Sequence, residues 1–151
     1  MRRMKNIPAL AGILLLLAAV CAAALPALAG RMEIRKPAYE RVLEYEAEGF
    51  SVKDDIQIGE LARGASYYFN AQLTTGIDYF FHFQGDQGVN RVRLVIFDEQ
   101  WNVVDVEETT AEGQAAVVRL RPEWTGTYHV KATLLDCNAD FDFWFILAGY
   151  R

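Results

Sequence analysis

The sequence has few of the residues on which most hydrolase active sites and disulfide-stabilised folds depend. Its 151 residues include only two cysteines, two histidines and two serines. These are Cys21, Cys137, His82, His129, Ser51 and Ser66. Neither serine lies in a Gly-x-Ser-x-Gly motif, and no pair of His or Cys residues has the close spacing of a zinc site. We therefore predict no catalytic residues, no structural zinc and no disulfide framework.

Basic residues are also in the minority. Three of the 15 basic residues and none of the 20 acidic ones fall within the first 29 positions, so the remaining chain has a formal charge of −8. A chain of this charge without a basic stripe does not displace counterions from nucleic acid or bind an anionic membrane. We expect neither nucleic acid nor membrane among the partners of the mature chain.

The first 29 residues have the three parts of a secretory signal peptide. Residues 1–5 form a basic segment, residues 7–25 form an uncharged apolar run, and residues 27–29 give a small-x-small pattern before Gly30. The alternative is a permanent membrane anchor, because a run of this length is able to span a bilayer. Pro26 and the cleavage pattern favour removal, so we predict a periplasmic or extracellular protein that retains one thiol, Cys137.

Residues 30–50 have the pattern of a helical lead-in to the domain. Pro37 suits a first helical position, and Gly49 suits a helix end. Apolar residues recur between them at helical spacing, and glutamates occupy other positions. The apolar residues are Tyr39, Val42, Leu43 and Ala47. This predicts one short amphipathic helix with a solvated acidic face.

From about residue 56, apolar and polar residues alternate with the period of two that indicates half-buried strands. Turn residues interrupt this pattern at positions 74–76, 85–88, 98–102 and 122–126. We predict an all-β domain over residues 51–151, an antiparallel β-sandwich or jelly roll of roughly seven to nine strands. The strands near residues 80–83, 92–97 and 144–146 are apolar on both faces. Such strands are central, covered by the helix, or part of an interface.

The order of several segments is similar to that of a known family. An aromatic strand at residues 67–71 is followed by a hydrophobic strand that closes on Asp98, and Gly126-Thr127-Tyr128 precedes the penultimate strand. Over about residues 56–150, this order resembles the bacterial pre-peptidase C-terminal domain, a jelly-roll β-sandwich of secreted proteases and other exported proteins. The sequence departs from that family at residues 100–102, where an acid-Gly turn is usual. The resemblance implies a non-catalytic, extracytoplasmic binding or accessory module.

Two tryptophans fall in predicted turns, where an aromatic ring offers a flat face to a sugar or a protein side chain. With His129, Trp101 and Trp124 form our candidate ligand site. The alternative is that each indole folds back as a lid on the end of the sandwich. The ligand hypothesis predicts that alanine at either tryptophan weakens binding and leaves folding nearly intact. Because His82 and His129 share strand faces with polar residues, we expect both to face solvent or a groove.

Asp136, Asn138 and Asp140 place oxygen atoms at alternate positions, which is the kind of ligand set that calcium prefers. An EF-hand loop would need glycine at Phe141 and glutamate at Leu147. These three residues therefore predict at most a weak extracellular calcium site. The alternative is a hairpin turn in which the same side chains fix the backbone geometry.

These features together favour a secreted or periplasmic, non-catalytic module that binds a protein or carbohydrate ligand. A second hypothesis is an envelope assembly subunit that pairs with another chain through an edge strand or the helix. A small hydrolase is the third hypothesis, for which the sequence offers no cluster of acids or nucleophile.

Overall fold

The computed structural model describes residues 33–53, 55–109 and 113–151, which form one helix and nine strands. The predicted signal peptide lies outside these residues. The elements are α1 (Arg35–Ala47), β1 (Ser51–Val52), β2 (Gln57–Ala62), β3 (Ser66–Leu73), β4 (Tyr79–Gly85), β5 (Val89–Phe97), β6 (Val103–Glu108), β7 (Ala115–Leu120), β8 (Gly126–Cys137) and β9 (Phe141–Tyr150). In the described part of the chain, no helix has both the length and the hydropathy needed to cross a membrane.

The strands pair antiparallel in two sheets. The five-stranded sheet has the order β1-β9-β4-β7, with β2 also paired to β9, and the four-stranded sheet has the order β3-β8-β5-β6. The predicted antiparallel sandwich is therefore confirmed. The four predicted turns connect β3 to β4, β4 to β5, β5 to β6 and β7 to β8.

The main core lies between the two sheets and is built from the alternate apolar positions that the sequence marks as inward. Its largest fully buried members are Tyr128, Phe81, Phe83, Leu73, Leu94, Ile96, Leu134 and Ile146, each at most 2% exposed. Cys137 belongs to the same core, and its thiol donates to the Ala139 carbonyl oxygen at 3.0 Å. Burial of this many large side chains stabilises a domain of this size without a disulfide.

A second core lies under α1, on the outer face of the five-stranded sheet. Tyr45 of the helix stacks on Phe80 of β4 with ring centroids 3.8 Å apart, and Phe50 meets the same ring edge-on at 5.1 Å. Phe145 and Leu147 of β9 complete this layer. The helix covers two strands that are apolar on both faces, as one of the sequence-based alternatives required.

The predicted apolar face of the helix is wrong at three of its four residues, because only Val42 packs against the second core. The buried residues are Ile34, Ala38 and Tyr45, whereas Tyr39 and Leu43 are 59% and 66% exposed. The helix also starts two residues before Pro37. Ile34, Ala38 and Tyr45 are also at helical spacing. They are harder to recognise in the sequence, because Ala38 is small and Ile34 lies before the expected helix start at Pro37.

The predicted exposure of His82 is also wrong, because this residue is 4% exposed in the layer beneath α1. Its Nε2 lies 3.0 Å from the Gln84 side-chain oxygen, which only accepts hydrogen bonds, so Nε2 carries the proton. The Tyr45 hydroxyl then donates to His82 Nδ1 at 2.8 Å. Burial lowers the pKa of His82 to about 4, so the ring is neutral near pH 7.

Candidate ligand-binding face of the four-stranded sheet

The turn between β5 and β6 is held by the carboxylate of Asp98. Its Oδ1 accepts from the backbone N–H groups of Gln100 and Asn102, and its Oδ2 accepts from the Asn102 side chain, all at 2.8 Å. The side-chain hydrogen bond from Asn102 lowers the pKa of the Asp98 carboxyl. The turn is therefore fixed by its own polar groups before any ligand is present.

This turn holds Trp101 in an uncommon backbone conformation. Its φ of 65° is in the left-handed region, and among the described residues other than glycine it alone has a positive φ. A bulky side chain in this region is a strained arrangement that persists only where the surrounding contacts enforce it. Here the Asp98 hydrogen bonds and the packing of the indole supply those contacts.

The indole of Trp101 lies on the outer face of the four-stranded sheet, parallel to the imidazole of His129. The ring centroids are 4.1 Å apart and the planes differ by 5°. Phe97 packs against the same indole at 5.6 Å, and His129 Nδ1 lies 2.8 Å from the Asn70 side-chain oxygen. We call Trp101, His129, Phe97 and Asn70 the Trp101 plate.

Strand register brings the members of the plate together. Phe97 of β5 and Asn70 of β3 both pair with His129 of β8, so the three side chains lie side by side on one face. Trp101 remains 56% exposed. Because the imidazole covers one face of the indole, this exposure leaves the other face open to solvent.

Polar and aromatic groups surround the plate on the same face. Tyr68 lies 5.5 Å from the Lys131 ammonium group, and the Gln72 side-chain amide donates to the Thr127 hydroxyl at 2.7 Å. These pairs fix side chains that carry further donors and acceptors at the surface. The face combines a flat apolar surface with a hydrogen-bonding rim.

The structure does not bring Trp124 into this plate. Trp124 stacks on the buried Tyr128 at 5.7 Å, and the Tyr128 hydroxyl donates to its carbonyl oxygen at 3.1 Å. Trp124 lines a separate groove of 380 Å³ between β6 and the β7–β8 turn, whose lining includes neither Trp101 nor His129. Trp124 is 40% exposed, so its indole packs partly against Tyr128 and is still accessible from solvent.

Of the residues proposed for calcium, Asp136 lies at the end of β8, and Asn138 and Asp140 lie in the turn between β8 and β9. Asp136 is 3.8 Å from the Arg63 guanidinium group, and the Asn138 side-chain oxygen accepts from Asn90 at 3.0 Å. Asp140 is in the same turn and is exposed. Within the described ranges, no group of three or more His, Cys, Asp or Glu side chains is arranged to hold a metal ion.

The sequence pattern did not single out Asn70, Phe97 or Tyr68. Their alternation with inward residues does place them on the outer face, so a signal for this face was present. The alternation does not show that β3 and β5 both pair with β8, because β8 is far from both strands in the sequence. The sequence identifies His129 and Trp101 individually, but their stacking depends on the same pairing.

No protein-family model matches this chain. No curated protein matches it either. Solved structures do match, and one is a periplasmic inhibitor of g-type lysozyme from Aeromonas hydrophila, with a TM-score of 0.48 and 8% identity over 69% of this chain and 90% of that chain.

A second match is the pre-peptidase C-terminal domain of a Bacillus anthracis collagenase, with a TM-score of 0.48 and 14% identity over 62% of this chain and 87% of that chain. A third is a carbohydrate-binding module in complex with calcium and xylotriose, with a TM-score of 0.39 and 12% identity over 70% of this chain and 96% of that chain. The family that the sequence resembles is thus represented among the matched structures, at low identity and with a TM-score below 0.5.

Proposed function

We propose that this chain is an exported, non-catalytic binding module that binds a carbohydrate on the Trp101 plate. The observation that carries the proposal is the parallel stack of Trp101 on His129, with the second indole face open. A rigid aromatic face of this kind matches the apolar C–H face of a sugar ring, and aromatic side chains bury much area at low conformational cost.

The rim of the plate supports the same ligand class. A sugar ring presents hydroxyl groups around its edge, and these need partners when the ring is desolvated. Asn70 provides an amide group within the plate, and Gln72 and Thr127 provide amide and hydroxyl groups beside it. The turn is already ordered by Asp98, so binding does not have to order a loop.

Affinity gel electrophoresis tests the proposal with xylan, mannan, mixed-linkage glucan and soluble peptidoglycan fragments as probes. We expect at least one of them to retard the wild-type protein. Trp101→Gly is the most informative variant, because glycine adopts a positive φ without strain and the turn keeps its shape. We expect its affinity to fall by about tenfold or more.

Trp124→Ala is the matched control, because it removes an exposed indole from the neighbouring groove. We expect this variant to keep most of the affinity, and circular dichroism checks that both variants are folded. Failure of every polysaccharide to retard the wild type would overturn the carbohydrate proposal. Loss of binding in Trp124→Ala alone would move the site away from the plate.

A further inference from the structure

A different part of the four-stranded sheet, β6, has the properties of a docking edge. This strand is last in the sheet order and has no partner on its outer side among the described residues. Three of its six residues are exposed valines: Val103, Val104 and Val106 are 59%, 40% and 50% exposed. An exposed apolar edge strand is a template for pairing with another chain.

The hydrogen-bond pattern shows which backbone groups of β6 face outwards. The N–H of Thr109 donates to the Val92 carbonyl oxygen at 3.0 Å, so this pair is a hydrogen-bonded one. Bonded and non-bonded pairs alternate in an antiparallel ladder, so Glu107 and Asp105 bond to β5. Val106 and Glu108 therefore direct their N–H and C=O groups away from β5.

The outward N–H of Val106 confirms this assignment. It donates to the side-chain Oδ1 of its neighbour Asp105 at 2.8 Å, in place of a strand partner. A carbonyl oxygen of an added strand would occupy the same position and release that carboxylate. The edge thus has a donor ready for a ladder hydrogen bond.

The groove lined by Trp124 opens beside this edge and is acidic. Asp98, Asp105 and Glu123 line it together with a single cation, Arg121. That cation already interacts with Asp78 at 3.9 Å and donates to the Gly76 carbonyl oxygen at 2.8 Å. Among the described residues, no ion pair involves Asp105 or Glu123, so the groove has an excess of negative charge.

This charge also identifies the kind of partner. A second copy of the chain would bring its own acidic β6 edge against this one, and like charges on paired strands are destabilising. A strand with lysine or arginine beside apolar residues complements both the carboxylates and the valines. The faces of Trp124 and Tyr128 in the groove add favourable sites for a cation.

We propose that β6 binds an extended, basic segment of a partner protein, which adds to the four-stranded sheet as a fifth strand and places a lysine or arginine side chain in the acidic groove. This inference is independent of the proposed carbohydrate site, because it uses the edge and groove and not the Trp101 plate. The chain would then hold two ligands at one end of the sandwich.

Fluorescence anisotropy tests the proposal with a labelled peptide that alternates valine and lysine, blocked at both ends. We expect it to bind more tightly than a matched peptide that alternates valine and glutamate, and the preference to weaken with salt. Val106→Pro removes the outward N–H without touching the β5 ladder, and we expect an affinity loss of about tenfold. Val106→Thr keeps the N–H and is the control that retains binding.

A second variant tests charge complementarity independently of the edge. The double substitution Asp105→Lys and Glu123→Lys reverses the groove charge at side chains that are not in the core, and we expect it to reverse the peptide preference. Equal binding of the acidic peptide to the wild type, or unchanged binding by Val106→Pro, would overturn the proposal. So would a wild-type dimer in sedimentation that Val106→Pro dissociates, because the occupant would then be a second copy of the chain.

Discussion

Acidification is expected to destabilise this protein through His82. The ring is neutral and lies between α1 and β4, where Tyr45 donates to Nδ1 and Nε2 donates to Gln84. Burial is the main cause that lowers the pKa of His82 from 6.5 to about 4, and the nearby cation of Arg41 acts in the same direction. The hydrogen bond to Gln84 and the carboxylate of Glu44 oppose this shift.

The sign and size of the effect follow from proton linkage. The unfolded chain takes up a proton near pH 6.5, whereas the folded chain resists it until about pH 4. The unfolded state therefore binds more protons in this window, and the free energy of unfolding falls as the pH falls. The difference between the two pKa values corresponds to about 3 kcal/mol, lost in full below about pH 4.

Urea denaturation of the wild type and His82→Gln at pH 7 and pH 4 measures this contribution. Carboxylates also titrate in this range, but they are common to both proteins and cancel in the difference. We expect the wild type to lose about 3 kcal/mol more than the variant between the two pH values. An equal loss in both proteins would refute the assignment of His82 as the buried titrating group.

Two further predictions concern packing in the two cores. A Cβ at Gly149 would lie 2.7 Å from the Ser51 carbonyl oxygen and 2.4 Å from Phe80 Cε1. We therefore expect Gly149→Ala to lower the free energy of unfolding, measured by urea denaturation, by about 1–3 kcal/mol. An unchanged midpoint would contradict this packing. Cys137 is 2% exposed, so a maleimide should label its thiol only as fast as the protein unfolds. Rapid labelling of the folded protein would show that the β8–β9 end opens locally.

The sandwich was predictable because period-two alternation records which side of a strand is buried. The pattern predicts that Tyr128, Val130, Ala132 and Leu134 of β8 face inward, and all four are fully buried. The alternation does not record which strands are neighbours. The groups on the outer face, including the contact of His129 with Trp101, therefore remained separate in the sequence.

The errors arose where a third layer covers the sheet. His82 alternates with apolar residues of β4 as an outward residue should, and it does face away from the main core. Because α1 covers the outer face of the five-stranded sheet, residues that face outward from the sandwich are buried there. An interpretation with only two layers does not predict this burial. The helix face was misassigned for a related reason, because the close approach of α1 to the sheet is made by Ala38 and not by the larger Tyr39 and Leu43.

The position of α1 determines how the domain would be oriented on any surface to which its leading end is attached. The helix is docked on one side of the sandwich, and the Trp101 plate is on the opposite side, with both sheets between them. A tether that enters through the helix would direct the plate away from the attachment surface, towards freely diffusing or polymeric ligands. A released protein would have no such preferred direction. If the chain has the predicted signal peptide, its cleavage or retention would therefore change the accessibility of the plate and leave its chemistry the same.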